Sequence, residues 1–418
     1  MEQHHRSHHH PAGAGLAAIA ITLLSACGGS SSGGGAGPSL DAPDAVLASP
    51  QNAAVLLDWS EVNEATGYNL YYSTDPGIDV NNPGTGGSSW DWISDVTPPF
   101  SVDQLDNRAT YHFVVTATDG SRESGPSDEI SATPLPGISG LSMQTATRTI
   151  NAQTYQHSMH SSGAFCEAGQ INAGGGFRIT SSNQDAALQI HSSFPTSTGA
   201  ADNRTYAWNG RAFNNDSAMA GSLTAETQVI CIDEPEGFEQ LRRVGQVLDT
   251  DGNAVFSSEC SEGSIALNGG ALLQGVNSDD PGIRLAYSQS DSGNDAIWRT
   301  TLHNVSDDDH DNIGVLATCA LPLRGFSREN AFTTRPENWV PAGSFGEHTA
   351  RCAPGQTVIH GGLYRLGGAD GQATDLVLQQ SYADTDDSDR DVWRVRVYNS
   401  AAEARPMGAF AVCADSDD

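Results

Sequence analysis

Cys352-Ala353-Pro354-Gly355-Gln356-Thr357-Val358-Ile359-His360-Gly361-Gly362 decides how most of this chain folds, because its outline occurs twice more upstream. The pattern is C-x2-G-x5-G-G. Cys166 opens one copy with Gly169 and Gly175-Gly176, and Cys260 opens another with Gly263 and Gly269-Gly270. Each copy later carries W-x5-N: Trp208 with Asn214, Trp298 with Asn304, Trp393 with Asn399. Each then closes on a strand-like run that reaches a cysteine, Cys231, Cys319 or Cys413. The connectors agree too, since Cys231 and Cys319 both begin C-x5-G-F, ending at Gly237-Phe238 and Gly325-Phe326. Self-similarity at a fixed long period marks a repeated unit that stacks on its neighbours.

Within a unit the residues dictate strands. Trp393-Arg394-Val395-Arg396-Val397-Tyr398-Asn399 alternates, so Trp393, Val395 and Val397 face inward and the arginines face water. The Gly-Gly pair permits a bulge or the close approach of another backbone. About sixty residues forming four or five strands make a thin core, where a disulfide helps; a bridge from opening to closing cysteine is worth roughly 4 kcal/mol in the chain-entropy view. Six cysteines allow fifteen pairings. Repeat equivalence favours Cys166–Cys231, Cys260–Cys319 and Cys352–Cys413. The rival joins neighbours, Cys231–Cys260 and Cys319–Cys352, and leaves Cys166 to meet Cys413. No C-x-x-C spacing supports zinc or thioredoxin-type chemistry. The units resemble a short repeat of bacterial exoproteins, and that resemblance implies architecture only.

The 418 residues exceed one core, and 45 glycines suit short strands and many turns better than long helices. The formal charge is −31, from 51 acidic and 20 basic residues, with no lysine. Such a polyanion repels nucleic acid and anionic lipid surfaces. The acidity is spread along the chain and suits a surface that stays soluble in strong salt.

Residues 41–136 alternate apolar and polar positions between frequent turns, as a sandwich does. Ala54–Asp58 leads to Trp59, Gly67–Ser73 follows, and Tyr111–Ala117 is entered from Leu105 through a polar corner. With Trp59, the L-x5-Y corner Leu105–Tyr111 and a closing run from Ser124 to Pro134, this stretch resembles a fibronectin type III domain. The resemblance implies that the Tyr111 hydroxyl turns back onto the chain. Trp90 and Trp92, at i and i+2 in SSWDWIS, share one strand face. They are either an aromatic platform for a sugar ring or peptide, or part of the sandwich core.

The amino terminus is an address. A polar leader with Arg6 and five histidines precedes an apolar run from Leu16 to Leu24, too short to span a bilayer. Leu24-Ser25-Ala26-Cys27 resembles a bacterial lipobox, which implies cleavage before Cys27, lipid attachment there and a membrane held through that lipid. Gly28 after it implies the outer membrane of the cell envelope. GGSSSGGGAGPS is then a flexible tether. The expected layout is a signal peptide at 1–26, a tether at 27–40, a fibronectin-like domain at 41–136, and β repeats at 137–231, 232–319 and 320–418. The fold class is all-β: a sandwich followed by three disulfide-stapled β units.

Chemistry is sparse. There is no nucleophile elbow, H-E-x-x-H, Walker loop or dinucleotide fingerprint, and no catalytic residue is assigned. His157 and His160 read as surface residues. His303 and His360 fall at repeat positions where the other copies hold Phe213 and Tyr398, and Gly174 and Asn268, so neither marks a shared catalytic group. No cofactor is required. Asp249, Asp251 and Asn253 space oxygen atoms as calcium loops do, and carboxylates crowd at 306–312 and 384–389; solvated turns explain all three. The function expected is a binding or scaffolding lipoprotein that contacts polysaccharide or a surface protein. A polysaccharide-active enzyme with a fibronectin-like spacer, and a purely structural spacer, stand as alternatives.

Overall fold

Alternation of apolar and polar residues becomes strands throughout. The computed structural model describes residues 39–82, 90–151, 159–181, 188–200, 204–214, 222–249, 253–273, 283–291, 293–304, 308–332, 338–364 and 375–418. They form an all-β protein of several small antiparallel sheets with three disulfide bonds. The leader, Cys27 and nearly all of the tether lie outside the described residues. Among the described residues no helix is long and apolar enough to cross a membrane.

The first seven strands are β1 (Leu47–Gln51), β2 (Ala54–Asp58), β3 (Gly67–Ser73), β4 (Asp91–Val96), β5 (Phe100–Asp103), β6 (Tyr111–Thr118) and β7 (Ile130–Ala132). They make two sheets, ordered β1-β2-β5 and β4-β3-β6-β7. One buried cluster draws Val55 and Leu57 from the first and Leu70, Phe113 and Val115 from the second. The period-2 rule is visible in β2, where Leu56 is exposed between buried Val55 and Leu57. Trp59 meets Tyr68 edge to face at 5.4 Å. The Tyr111 hydroxyl accepts a hydrogen bond from the Asp106 backbone N–H at 3.0 Å, which pins the turn before β6.

The rest of the chain holds three stretches with one pairing scheme. The first contains β8 (Ser142–Asn151), β9 (Met159–Phe165), β10 (Gln170–Ser181), β11 (Leu188–Thr198), β12 (Thr205–Asn214) and β13 (Ser222–Asp233). The second contains β14 (Glu239–Leu248), β15 (Asn253–Glu259), β16 (Ile265–Leu273), β17 (Ile283–Ser290), β18 (Ile297–Asn304) and β19 (His310–Ala320). The third contains β20 (Ser327–Phe332), β21 (Phe345–Arg351), β22 (Gln356–Tyr364), β23 (Leu376–Thr385), β24 (Asp391–Asn399) and β25 (Gly408–Asp415). In each, the last strand lies between the first and third, and the fifth lies between the second and fourth. Each stretch therefore has six strands. Four run from its opening to its closing cysteine, within the four or five expected of that span. Two more precede the opening cysteine, in runs such as SMQTATRTIN whose alternation is too polar to announce a strand. Disulfides join Cys166 to Cys231, Cys260 to Cys319 and Cys352 to Cys413, with Cα–Cα distances of 5.6, 5.8 and 5.7 Å.

The Gly-Gly pairs explain how the stretches meet. A Cβ on the first glycine would fall 2.4 Å from the Trp208 ring at Gly175, 2.4 Å from Trp298 at Gly269 and 2.3 Å from Trp393 at Gly361. A Cβ on the second would strike a neighbouring stretch: Ser381 O at 2.5 Å from Gly176, Ser193 O at 2.2 Å from Gly270, Ser288 O at 2.9 Å from Gly362. First touches third, second touches first and third touches second, so the contacts close into a ring. The ring is sealed where Ile138 N–H donates to Asp415 O and Asp417 N–H donates to Ile138 O. Arg324 holds the same corner through Asp415 and Asp417.

Candidate functional site

Around the ring axis each tryptophan is locked by its own stretch. The indole N–H of Trp208 donates to Ser193, that of Trp298 to Ser288 and that of Trp393 to Ser381, at 2.8 to 2.9 Å. All three rings close on His360, at 5.0, 5.0 and 5.1 Å between centroids. Burial pushes the His360 imidazole down to about 3, and its Nδ1 accepts from the Gly175 N–H at 3.5 Å. Asn268, at the equivalent position, donates to the carbonyls of Asn172 and Ala173. This centre is closed to solvent and builds structure. The asparagines of W-x5-N do likewise: Asn304 bridges the carbonyls of Asp249 and Asp308, and Asn399 those of Val340 and Glu403.

The sequence-derived ligand positions fall in different places. Asp249 is exposed and its carbonyl serves Asn304, while Asp251 lies outside the described residues, as does the side chain of Asn253. In the 384–389 loop Asp386 accepts from Ser388 and Arg390 backbone N–H groups and from Arg351, and Asp384 pairs with Arg394 at 2.6 Å. Those carboxylates are committed to arginines and turns. Glu239 approaches Cys260 and Cys319, but both sulfurs are in a disulfide and Glu239 accepts from Ser261, so that trio is no metal centre. His157 lies outside the described residues.

Trp90 and Trp92 are not in the buried cluster shared by the first two sheets, which corrects the reading that placed them in a core there. They lie on the outer face of the four-stranded sheet, because the core side of that sheet is filled by Leu70, Phe113 and Val115. Trp90 packs edge-on against Tyr71 at 5.0 Å, within a small cluster with Ile78 and Val114. Trp92 stacks against Tyr71 at 6.3 Å with planes 17° apart, and 57% of it remains exposed. Tyr71 is fixed beneath them by donating its hydroxyl to Glu123 at 2.8 Å; burial, followed by the Glu123 carboxylate, raises that hydroxyl to about 12. The result is an ordered aromatic surface with one ring offered to solvent. Sequence spacing found both tryptophans, and missed Tyr71 because its alternation looked like core.

A second concave feature, a cleft of about 390 Å³, lies where the first and third stretches meet; Arg178, Gln228, Tyr382 and Asp391 are among its lining residues.

No family model matches the chain, and no curated protein matches it. Among solved structures, one described as a myokine structure is 18% identical with a TM-score of 0.18, covering 23% of this chain and 99% of that one. Chitinase ChiA74 from Bacillus thuringiensis is 14% identical with a TM-score of 0.18, covering 47% of this chain and 27% of the chitinase. At these scores neither likeness decides fold or function.

Proposed function

We propose that this chain is a non-catalytic binding lipoprotein of the cell envelope that holds extracellular polysaccharide. The observation that carries the reading is Trp92: a large ring left 57% exposed and stacked on a tyrosine against which a second tryptophan packs edge-on. A flat aromatic face held in place and open to solvent suits the apolar face of a sugar ring. Residues 41–136 are read as a fibronectin type III-like sandwich, supported by the sheet order β1-β2-β5 and β4-β3-β6-β7 and by the Tyr111 corner. The three cysteine-bridged stretches are read as copies of one unit, supported by their common pairing scheme and matched glycines. Lipid on Cys27 and the Gly/Ser tether would hold both at the outer membrane.

Affinity electrophoresis tests the reading. The protein, run through gels containing neutral polysaccharides, should be retarded by at least one of them. Trp92→Ala should migrate freely while keeping its melting temperature, since the ring is mostly outside the core. Equal retardation of wild type and Trp92→Ala, or none in any gel, overturns it.

A further inference from the structure

Three seams close the ring, and the same three positions line each of them. They are the second residue after Gly-Gly, the residue after the tryptophan-holding serine, and the third residue before the closing cysteine. Between the first and second stretches these are Leu272, Phe194 and Leu316, which form a buried apolar cluster. Between the second and third they are Tyr364, Gln289 and Phe410, and Phe410 is fully buried. Between the third and first they are Arg178, Tyr382 and Gln228. An apolar trio has become a polar one, and at that seam the cleft of about 390 Å³ opens.

The polar groups there are held in place. The Arg178 guanidinium lies 4.9 Å from the Tyr382 ring centroid and pairs with Glu226 at 2.7 Å. Gln228 Oε1 accepts from the Ala383 N–H at 3.1 Å, joining the two stretches across the seam. Asp391 is partly buried and accepts from the Val358 N–H at 3.2 Å, and burial raises its carboxyl above the usual range. Ile230 and Val358 supply apolar wall, and Met143 a 53% exposed rim.

Charge decides what fits. Arg178 is balanced by Glu226 and Asp384 by Arg394, which leaves Asp391 as the carboxyl without a cationic partner among the residues just named. On a chain of charge −31, that arrangement disfavours an anion. A ligand with many hydroxyls and one apolar face matches the side-chain acceptors, the aromatic–guanidinium plane and the apolar wall together. The volume is within the roughly 300–1,000 Å³ usual for small-ligand sites. We propose that this closing-seam cleft binds a short uncharged saccharide, with Tyr382 and Asp391 as its principal contacts. The proposal rests on the reading of the chain as a polysaccharide binder, and gives it a second site that does not depend on Trp92.

The test uses the full chain on an array of neutral and uronic-acid glycans, followed by titration calorimetry with the strongest neutral di- or trisaccharide found. Tyr382→Ala and Asp391→Asn should each weaken that binding about ten-fold or more, the equivalent of ~1.4 kcal/mol. Glu262→Gln, at an exposed position in the second stretch, should leave it unchanged. Asp391→Asn keeps the side-chain shape, and an unchanged melting temperature for it separates lost contact from lost folding. The cleft proposal fails if no neutral glycan binds, if both cleft variants bind like wild type, or if uronic-acid glycans bind equally well. Binding lost only in Trp92→Ala sinks the cleft and leaves the polysaccharide reading standing. Binding lost only in the cleft variants supports the cleft, and the gel retardation of Trp92→Ala decides the Trp92 surface separately.

Discussion

His360 gives the ring a measurable dependence on acid. The imidazole is buried among three indoles and held neutral, its value pushed down to about 3 against an ordinary value near 6.5. Between those two values the unfolded chain binds a proton that the folded chain refuses. Stability from this group is therefore complete above about pH 6.5 and drains away as pH falls toward 3. One pH unit is worth ~1.4 kcal/mol, so going from about pH 6.5 to about pH 5 removes about 2 kcal/mol. The perturbation is His360→Asn, which places there the residue that the second stretch carries at Asn268. Urea unfolding of both proteins, followed by tryptophan emission, gives stability at each pH, and subtraction cancels the carboxylates they share. The wild-type advantage should shrink by about 2 kcal/mol over that interval. Curves that stay parallel within about 0.5 kcal/mol would refute the claim that the imidazole is buried and neutral.

Replacing both Cys260 and Cys319 by serine should cost about 4 kcal/mol, read by calorimetry, because the bridge closes a separation of 59 residues. Gly270→Ala should destabilise by about 3 kcal/mol, since its Cβ would meet Ser193 O at 2.2 Å and Phe194 Cα at 2.8 Å; Gly125→Ala, with nothing within 4 Å, should stay within about 0.5 kcal/mol. The melting temperature should rise from about 0.1 M to about 1 M sodium chloride as the Debye length drops from ~10 to ~3 Å; a rise at millimolar calcium that a chelator reverses would instead favour bound calcium. Cells fed labelled palmitate should mark the wild-type protein and leave Cys27→Ala unmarked, and an unmarked wild type would defeat the lipid anchor.

Legibility followed locality. Strand runs around Trp393 and Tyr111 were plain because alternation is a property of neighbouring residues. β8 and β14 were not, because Ser142–Asn151 and Glu239–Leu248 draw their stability from pairing with β13 and β19 rather than from apolar content of their own. The Gly-Gly motif announced close approach, but a linear pattern does not say which backbone approaches. The backbone adds one more matched feature: Gly140 stands with Gly237 and Gly325 at the start of each stretch, all with positive φ, of 62°, 69° and 65°. Gly140 is followed by Leu141 where the others have phenylalanine, and Pro134 stands where they have a cysteine, so the C-x5-G-F pattern does not reach it. The repeat comparison picks out His360 as a position the stretches do not share, but not its burial among three indoles, and the Arg178–Tyr382 cleft is hidden for the same reason: both arise where the stretches differ.

The seal between Ile138 and Asp415–Asp417 joins positions about 278 residues apart, and this has a consequence in time. A ribosome delivers residue 138 long before residue 417. Until the late segment arrives, β10 has its partner β13 but not β23, and its far edge stays open to any other strand. Non-local pairings of this span are slow to form. Folding of this chain therefore passes through an interval in which the far edge of β10 must be shielded, and the arrival of β23 ends that interval.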